Sequence, residues 1–411
     1  MTAPVYILGG AQTDFALNAS RHGMGLFELM REAVRGALLD SDLEASDIES
    51  GHVGNFVGEL FAGQGLLGGM FEAIDPGFHG MPSGRHEAAC ASGSIALLSA
   101  MAEIEAGRYD CVLVTGVELE RNVPGATAAQ HLGAATWVHA EAQGATYAWP
   151  YMFSLIGEEY ERRYGLRYEH LARIAEINVG NARRNPLAQT REWRYTPESF
   201  LQDDVANPVI EGMIRRQDCG QVTDGAAALV LASPAFAQRW AAQRGRPLEQ
   251  VPCITGWGHR SAHLRLKAKL DGSAGAPYVF PHVRRAIEDA FRRAGIADVF
   301  ALDGIETHDC FTTTEYMAID HFGITLPGQS WQAIEGGLID ADGRLPINPS
   351  GGLIGAGHPV GATGVRMVLD AARQVAGRAG AMQVEGARRF GTLNIGGSAT
   401  TVVSFVVEGS A

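Results

Sequence analysis

The chain has 411 residues, enough for two or three compact units with cores of their own. Acidic residues outnumber basic ones 46 to 33, and the net charge of −13 argues against electrostatic binding to nucleic acid or anionic lipid. Five cysteines (Cys90, Cys111, Cys219, Cys253, Cys310) without a Cys-x-x-Cys pair argue against a disulfide scaffold or zinc ribbon.

Those thiols point to a reducing compartment. No basic and apolar leader opens the chain, and no apolar run reaches the roughly 18 residues of a membrane span. A cytoplasmic enzyme with no membrane segment is expected. The 52 glycines are spread along the chain and mark tight turns, not low complexity.

In chain order, Val5 to Leu8 reads as a strand and Leu26 to Leu39 as an amphipathic helix. Arg85 to Ala89 reads as extended, Cys90 opens a helix to about Ala106, and residues 111–115 form a buried strand. Residues 119–204 are richer in aromatics and charge, with Trp137, Trp149 and Trp193 and helices over Glu158–Tyr164 and Tyr168–Ala182. Further on come a helix over Phe280–Ala294, strands over Ala301–Glu306 and Thr401–Val407, and a helix from His358 to about Val375. Strands alternating with helices give an α/β layered fold. The expected units are 1–118 completed by 205–248, an inserted loop domain over 119–204, and 249–411.

A faint internal repeat runs through this order. Cys90-Ala91-Ser92-Gly93 and His358-Pro359-Val360-Gly361 each precede a helix, and Asp224–Leu231 resembles Gly396–Val403. Two similar halves packed together would set Cys90 beside His358. Ala91 to Ala102 is almost wholly small or apolar, so this helix should be buried on all sides, between two sheets.

Three segments carry chemistry. Cys90 lies where an extended segment meets the buried helix, a place where dipole and free N–H groups would lower a thiol pKa; a small core cysteine is the alternative. Gly355-Ala356-Gly357-His358-Pro359-Val360-Gly361 places a histidine in a glycine-rich bend, able to act as base or donor. A phosphate-binding loop with an incidental histidine is its alternative, although no Gly-Lys-Ser/Thr follows. Glu306-Thr307-His308-Asp309-Cys310-Phe311 ends a strand, where α/β sites sit. It offers no second ligand pair at metal spacing, so no metal is expected.

Together these motifs, in this order, resemble the thiolase family over nearly the whole chain. Cys90-Ala91-Ser92 is similar to its nucleophile motif and Gly357-His358-Pro359 to its Gly-His-Pro motif. His308-Asp309-Cys310-Phe311 stands in place of the usual Asn-Glu-Ala-Phe and resembles the sterol-carrier-protein-2-type branch, as does Asp218-Cys219 before Asp224-Gly225-Ala226-Ala227. Where most thiolases carry a second cysteine in Cys-x-Gly, this chain has Asn394-Ile395-Gly396.

The resemblance implies a five-layer α-β-α-β-α sandwich of two similar halves. It implies a ping-pong acyl transfer between a 3-oxoacyl-CoA and coenzyme A, as in fatty-acid degradation, with coenzyme A as co-substrate and no resident cofactor. Cys90 would be the nucleophile, His358 its base and Cys310 the second acid/base. His358 with His308 would hold the enolate, and the N–H groups of Cys90 and Gly396 the tetrahedral oxyanion. A homodimer is implied as well. Two alternatives use the same segments: an acyltransferase forming a C–C bond on another acceptor, and a retro-aldolase-type subunit working with a small acyl-CoA-binding partner.

The chain has two lysines, Lys267 and Lys269, and both fall with Arg265 in the basic run His259–Lys269. That run could meet the phosphates of coenzyme A, or be a solvated loop; Arg183 and Arg184 are a weaker candidate. Met152 and Phe153 lie in the insertion, where the resemblance puts the acyl tunnel, and either shape it or pack the insertion's core.

Overall fold

Nine runs of small and β-branched residues form the strands of one mixed sheet. They are β1 (Val5–Gln12), β2 (Ser50–Gly54), β3 (Ser83–His86), β4 (Cys111–Glu118), β5 (Gly225–Ala232), β6 (Cys253–Ser261), β7 (Gly304–Thr307), β8 (Arg389–Gly396) and β9 (Thr401–Glu408). The computed structural model describes residues 4–410. Strand order is β3-β2-β4-β5-β1-β6-β9-β8-β7. The seam is short, with β1 pairing β6 only at Val5–Ile254 and Tyr6–Cys253.

Either side of that seam the order repeats. Outward from it, β5 runs antiparallel to both β1 and β4, and β2 then runs parallel to β4. On the other side β6, β9 and β8 are antiparallel, and β7 runs parallel to β8. The counterpart of β3 is reduced to one parallel bridge, Ile305 to Ile347. Residues 224–231 fall on β5 and 396–403 on the turn into β9 and its start, and this symmetry relates β5 to β9 with Gly225 matching Thr401, four residues from the alignment read in the sequence.

Helices sort the strands into layers. α1 (Leu26–Ser41) covers the outer face of the first half, against β1, β5 and β4. α5 (Pro281–Ala294) covers β6 and β9 of the second half. Between the halves lie α2 (Ser92–Glu105) and α6 (Thr363–Val375), which touch each other; α6 contacts strands of both halves. The middle layer has its own apolar core, from Leu97 and Met101 through Leu229 and Val365 to Phe405. This gives the five layers, α-β-α-β-α.

The helices also depart from the sequence reading. Cys90 lies in a 3-10 turn, Ala89–Ala91, before α2 begins at Ser92. His358 lies in a loop five residues before α6, its backbone in a parallel bridge to Val222 and biased away from the helical region by Pro359 after it. α2 is not buried all round: Ile95, Leu98 and Ser99 stay half-buried beside the edge strand β3. Residues 119–204 hold α3 (Ala148–Tyr164) and α4 (Tyr168–Ala182), whose apolar faces join the core of the second half through Ile156, Tyr160, Leu171 and Ile174.

Candidate active site

His358 is held at its backbone and at its ring. Its N–H donates to Thr223 Oγ1 at 2.9 Å, and its Nδ1 lies 2.7 Å from Thr363 Oγ1. The Thr363 hydroxyl donates to the Pro359 carbonyl at 3.0 Å, so it accepts from His358, and Nδ1 carries the proton. Nε2 is left as an unprotonated acceptor. Burial pushes the His358 pKa down to about 3, helped by the Arg366 charge, so the ring rests neutral.

The loop is braced by residues the sequence reading passed over. Glu118, at the end of β4, accepts from Phe56 N at 2.8 Å and Gly361 N at 3.0 Å. Glu120 accepts from Val360 N at 2.9 Å. The acidic pair at a strand end was visible as Val117-Glu118-Leu119-Glu120, but its partners on the His358 loop lie 240 and 243 residues away.

Cys90 follows Ala89, whose φ of 50° is left-handed without glycine's freedom, at a cost of roughly 1 kcal/mol. Its sulfur, one nitrogen of His308 and one of His358 lie within 4.8 Å of one another. The expected fall in thiol pKa is not what this site produces. Cys90 reaches the cavity, yet burial around the sulfur and the nearby Glu120 push its pKa up to about 12. The nearby Gly397 N–H pulls the other way, and loses. That donor sits one residue beyond Gly396, whose Cα packs against the Ala88 carbonyl.

The His308–Phe311 segment follows β7. Asp309 faces the scaffold, accepting from Leu353 N at 2.6 Å and Ile354 N at 3.1 Å. Cys310 lines the cavity, with its thiol 3.9 Å from Thr314 Oγ1 and its pKa well above the usual thiol value through burial and the neighbouring Cys90. His308 is fully buried, edge-on to His358 with ring centroids 5.3 Å apart. Burial and its neighbours hold it neutral, and its Nε2 has no hydrogen-bond partner.

Cys90, Cys310 and His358 open onto one cavity of about 330 Å³. Its walls are mostly apolar: Phe56, Leu132, Tyr147, Trp149, Phe153, Phe311 and Val360, with Cys219 and Gly397 nearby. Phe153 stacks on Phe311 with centroids 4.5 Å apart, and Trp149 is tilted against Phe153 at 6.1 Å. Phe153 thus lines the cavity, whereas Met152 points into the helical core. Such a space suits an apolar acyl group set against a thiol and two neutral imidazoles.

The basic run divides. Lys269 is buried, and its amine bonds Ser398 Oγ at 2.7 Å and Thr400 Oγ1 at 2.8 Å, so it is not free to meet a phosphate. Burial lowers its pKa to about 7. Lys267 is exposed and paired with Asp271, and the Arg265 guanidinium lies 5.8 Å from the Trp137 ring centre. Arg184 is tied to Asn181 at 2.7 Å. No helix among the described residues is long and apolar enough to cross a membrane.

Comparison with known proteins agrees with this geometry. Residues 5–193 match the family model "Thiolase, N-terminal domain" and residues 271–409 match "Thiolase C-terminal domain-like". An acetyl-CoA acetyltransferase of Methanothermobacter thermautotrophicus is 32% identical over 97% of this chain and 97% of its own. Sterol carrier protein 2 of Gallus gallus is 30% identical over 100% of this chain and 72% of its own. Among solved structures, one titled "Ltp2-ChsH2(DUF35) aldolase" superposes with a TM-score of 0.76 at 20% identity, over 99% of this chain and 98% of that one.

Proposed function

The chain belongs to the thiolase family and is an acyltransferase enzyme, and on that premise we propose that it moves an acyl group between a 3-oxoacyl-CoA and coenzyme A through an acyl-enzyme on Cys90. The observation that carries this is the meeting of Cys90, His308 and His358 within 4.8 Å, on a cavity that Cys310 also lines.

Because the Cys90 thiol is protonated at rest, His358 Nε2 takes its proton as the sulfur attacks the 3-keto carbon. The oxygen of the tetrahedral adduct takes the N–H groups of Cys90 and Gly396. The C2–C3 bond then breaks, and its electron pair leaves as the enolate of the shorter acyl-CoA. His308 and the protonated His358 hold that enolate oxygen, and the Cys310 thiol protonates its carbon. An incoming coenzyme A thiol gives its proton to Cys310 and attacks the Cys90 thioester, releasing the shortened acyl chain as acyl-CoA, while His358 returns its proton to the Cys90 sulfur. The steps run backward as a Claisen condensation. Arg265 and Lys267 are the basic residues left to meet coenzyme A phosphates, and residues 119–204 form the cover through which the acyl group enters.

The exposed edge β3 is the place where a second copy would pair to make the homodimer. A retro-aldolase-type subunit with a small partner remains the competing reading, and it needs no acylated cysteine. Assay of thiolysis across short, branched, aromatic and sterol-derived 3-oxoacyl-CoAs, with mass spectrometry of the quenched enzyme, decides between them. An acyl adduct on Cys90 that Cys90→Ala abolishes is expected. Turnover of a 3-hydroxyacyl-CoA with no adduct would overturn the thiolase reading.

A further inference from the structure

Asn394 stands where most of the family carries a second cysteine, at the inner end of β8, fully enclosed. Its two amide atoms are occupied by groups from opposite halves of the molecule. Oδ1 accepts from the Ser94 hydroxyl at 2.8 Å, and Nδ2 lies 3.1 Å from His308 Nδ1. Ser94, on the buried helix α2, makes no other side-chain hydrogen bond among the described residues. Turning the amide over would leave that buried hydroxyl without an acceptor, which costs about 1–3 kcal/mol. The amide therefore presents N–H to His308, and Nδ1 of His308 is an acceptor.

A neutral imidazole that accepts at Nδ1 carries its proton at Nε2. That nitrogen of His308 is the one with no partner, and it is fully buried near Cys90 and His358. We propose that Asn394, oriented by Ser94, is a positioning residue that holds His308 as its Nε2–H tautomer, so that the ring meets substrate as a hydrogen-bond donor and not as a base or a metal ligand. This rests on the reading of His308 as a donor to the enolate oxygen. The same arrangement bears on the cluster of Cys90, His308 and His358, three residue types that suit a soft divalent cation. With its proton at Nε2, His308 has no lone pair to give, and the donor set falls to two.

The test uses the full-length enzyme labelled with ¹⁵N-histidine, with His308 assigned by its loss in His308→Gln. Long-range ¹H–¹⁵N correlation reports which ring nitrogen is protonated. Wild type is expected to show His308 with Nε2 protonated and Nδ1 bare. In Asn394→Asp a carboxylate replaces the amide and can only accept, so the proton is expected at Nδ1. Cleavage of a 3-oxoacyl-CoA should then fall about 10²-fold in kcat, the usual effect of one lost oxyanion donor, with KM within about twofold. Acylation of Cys90 by a simple acyl-CoA should change less than about threefold. Micromolar Zn²⁺ should inhibit this variant and spare the wild type. Ser94→Ala is a second variant that adds no charge: it frees the amide to turn, and a fraction of His308 protonated at Nδ1 is expected. A wild-type His308 protonated at Nδ1 overturns the proposal. So does an Asn394→Asp enzyme with a switched tautomer and undiminished C–C cleavage. Absence of 3-oxoacyl-CoA turnover in the wild type would instead remove the thiolase reading, while the spectrum still decides the tautomer.

Discussion

Thr363→Val removes the hydrogen bond that keeps His358 a base, and with it the Thr363 bond to the Pro359 carbonyl, which still accepts from the Ala362 and Thr363 N–H groups. Valine matches threonine in shape at a position with no exposure, so the packing at the start of α6 is kept. What goes is the oxygen 2.7 Å from His358 Nδ1. The Nδ1–H then has no acceptor, in a side chain only 9% exposed. Such an orphan costs about 1–3 kcal/mol. At 1.36 kcal/mol per decade that is roughly a fivefold to 150-fold penalty on the active tautomer. The ring escapes it by moving the proton to Nε2, where it can no longer take the Cys90 proton. The acylation rate constant, measured by quenched-flow mass spectrometry with a simple acyl-CoA, should fall within that range, with substrate affinity little changed. Thr363→Ser keeps the hydroxyl and should restore most of the rate. A valine variant within about twofold of wild type would refute the argument that this bond orients the base.

Two further outcomes follow from buried charge. With its pKa pushed up to about 12 by burial and Glu120, Cys90 should be alkylated by iodoacetamide at a rate that climbs steadily with pH. A plateau below about pH 9 would mean that the thiolate is already formed at rest. Lys269, lowered to about 7 by burial against its ordinary 10.5, binds a proton in the unfolded chain but not in the folded one between those values. Its contribution to stability therefore rises with pH across that window, by at most about 1.4 kcal/mol per unit. Urea unfolding at several pH values should show that slope in the wild type and lose it in Lys269→Met. Equal slopes in both would show that the amine stays charged when buried.

The order of layers was legible in the sequence because each layer is written locally. Apolar runs such as Cys111–Thr115 and Thr401–Val407 have no solution except as buried strands, and the helix over Pro281–Ala294 shows its period directly. The motifs around Cys90, His308 and His358 were legible for the same reason, since Gly357-His358-Pro359 encodes its own bend. What those residues do to a proton was not local. The direction of the Cys90 pKa depends on Glu120 and on dehydration by the opposite half, and a helix start read in isolation points the other way. Lys269 reads as a surface cation, yet it spends its hydrogen bonds on Ser398 and Thr400, 129 and 131 residues on. Asn394 reads only as a missing cysteine until Ser94, 300 residues earlier, is brought against it. Sequence patterning sets backbone conformation and which faces are apolar; desolvation and hydrogen-bond partners across the pseudo-twofold seam exist only once the two halves are packed.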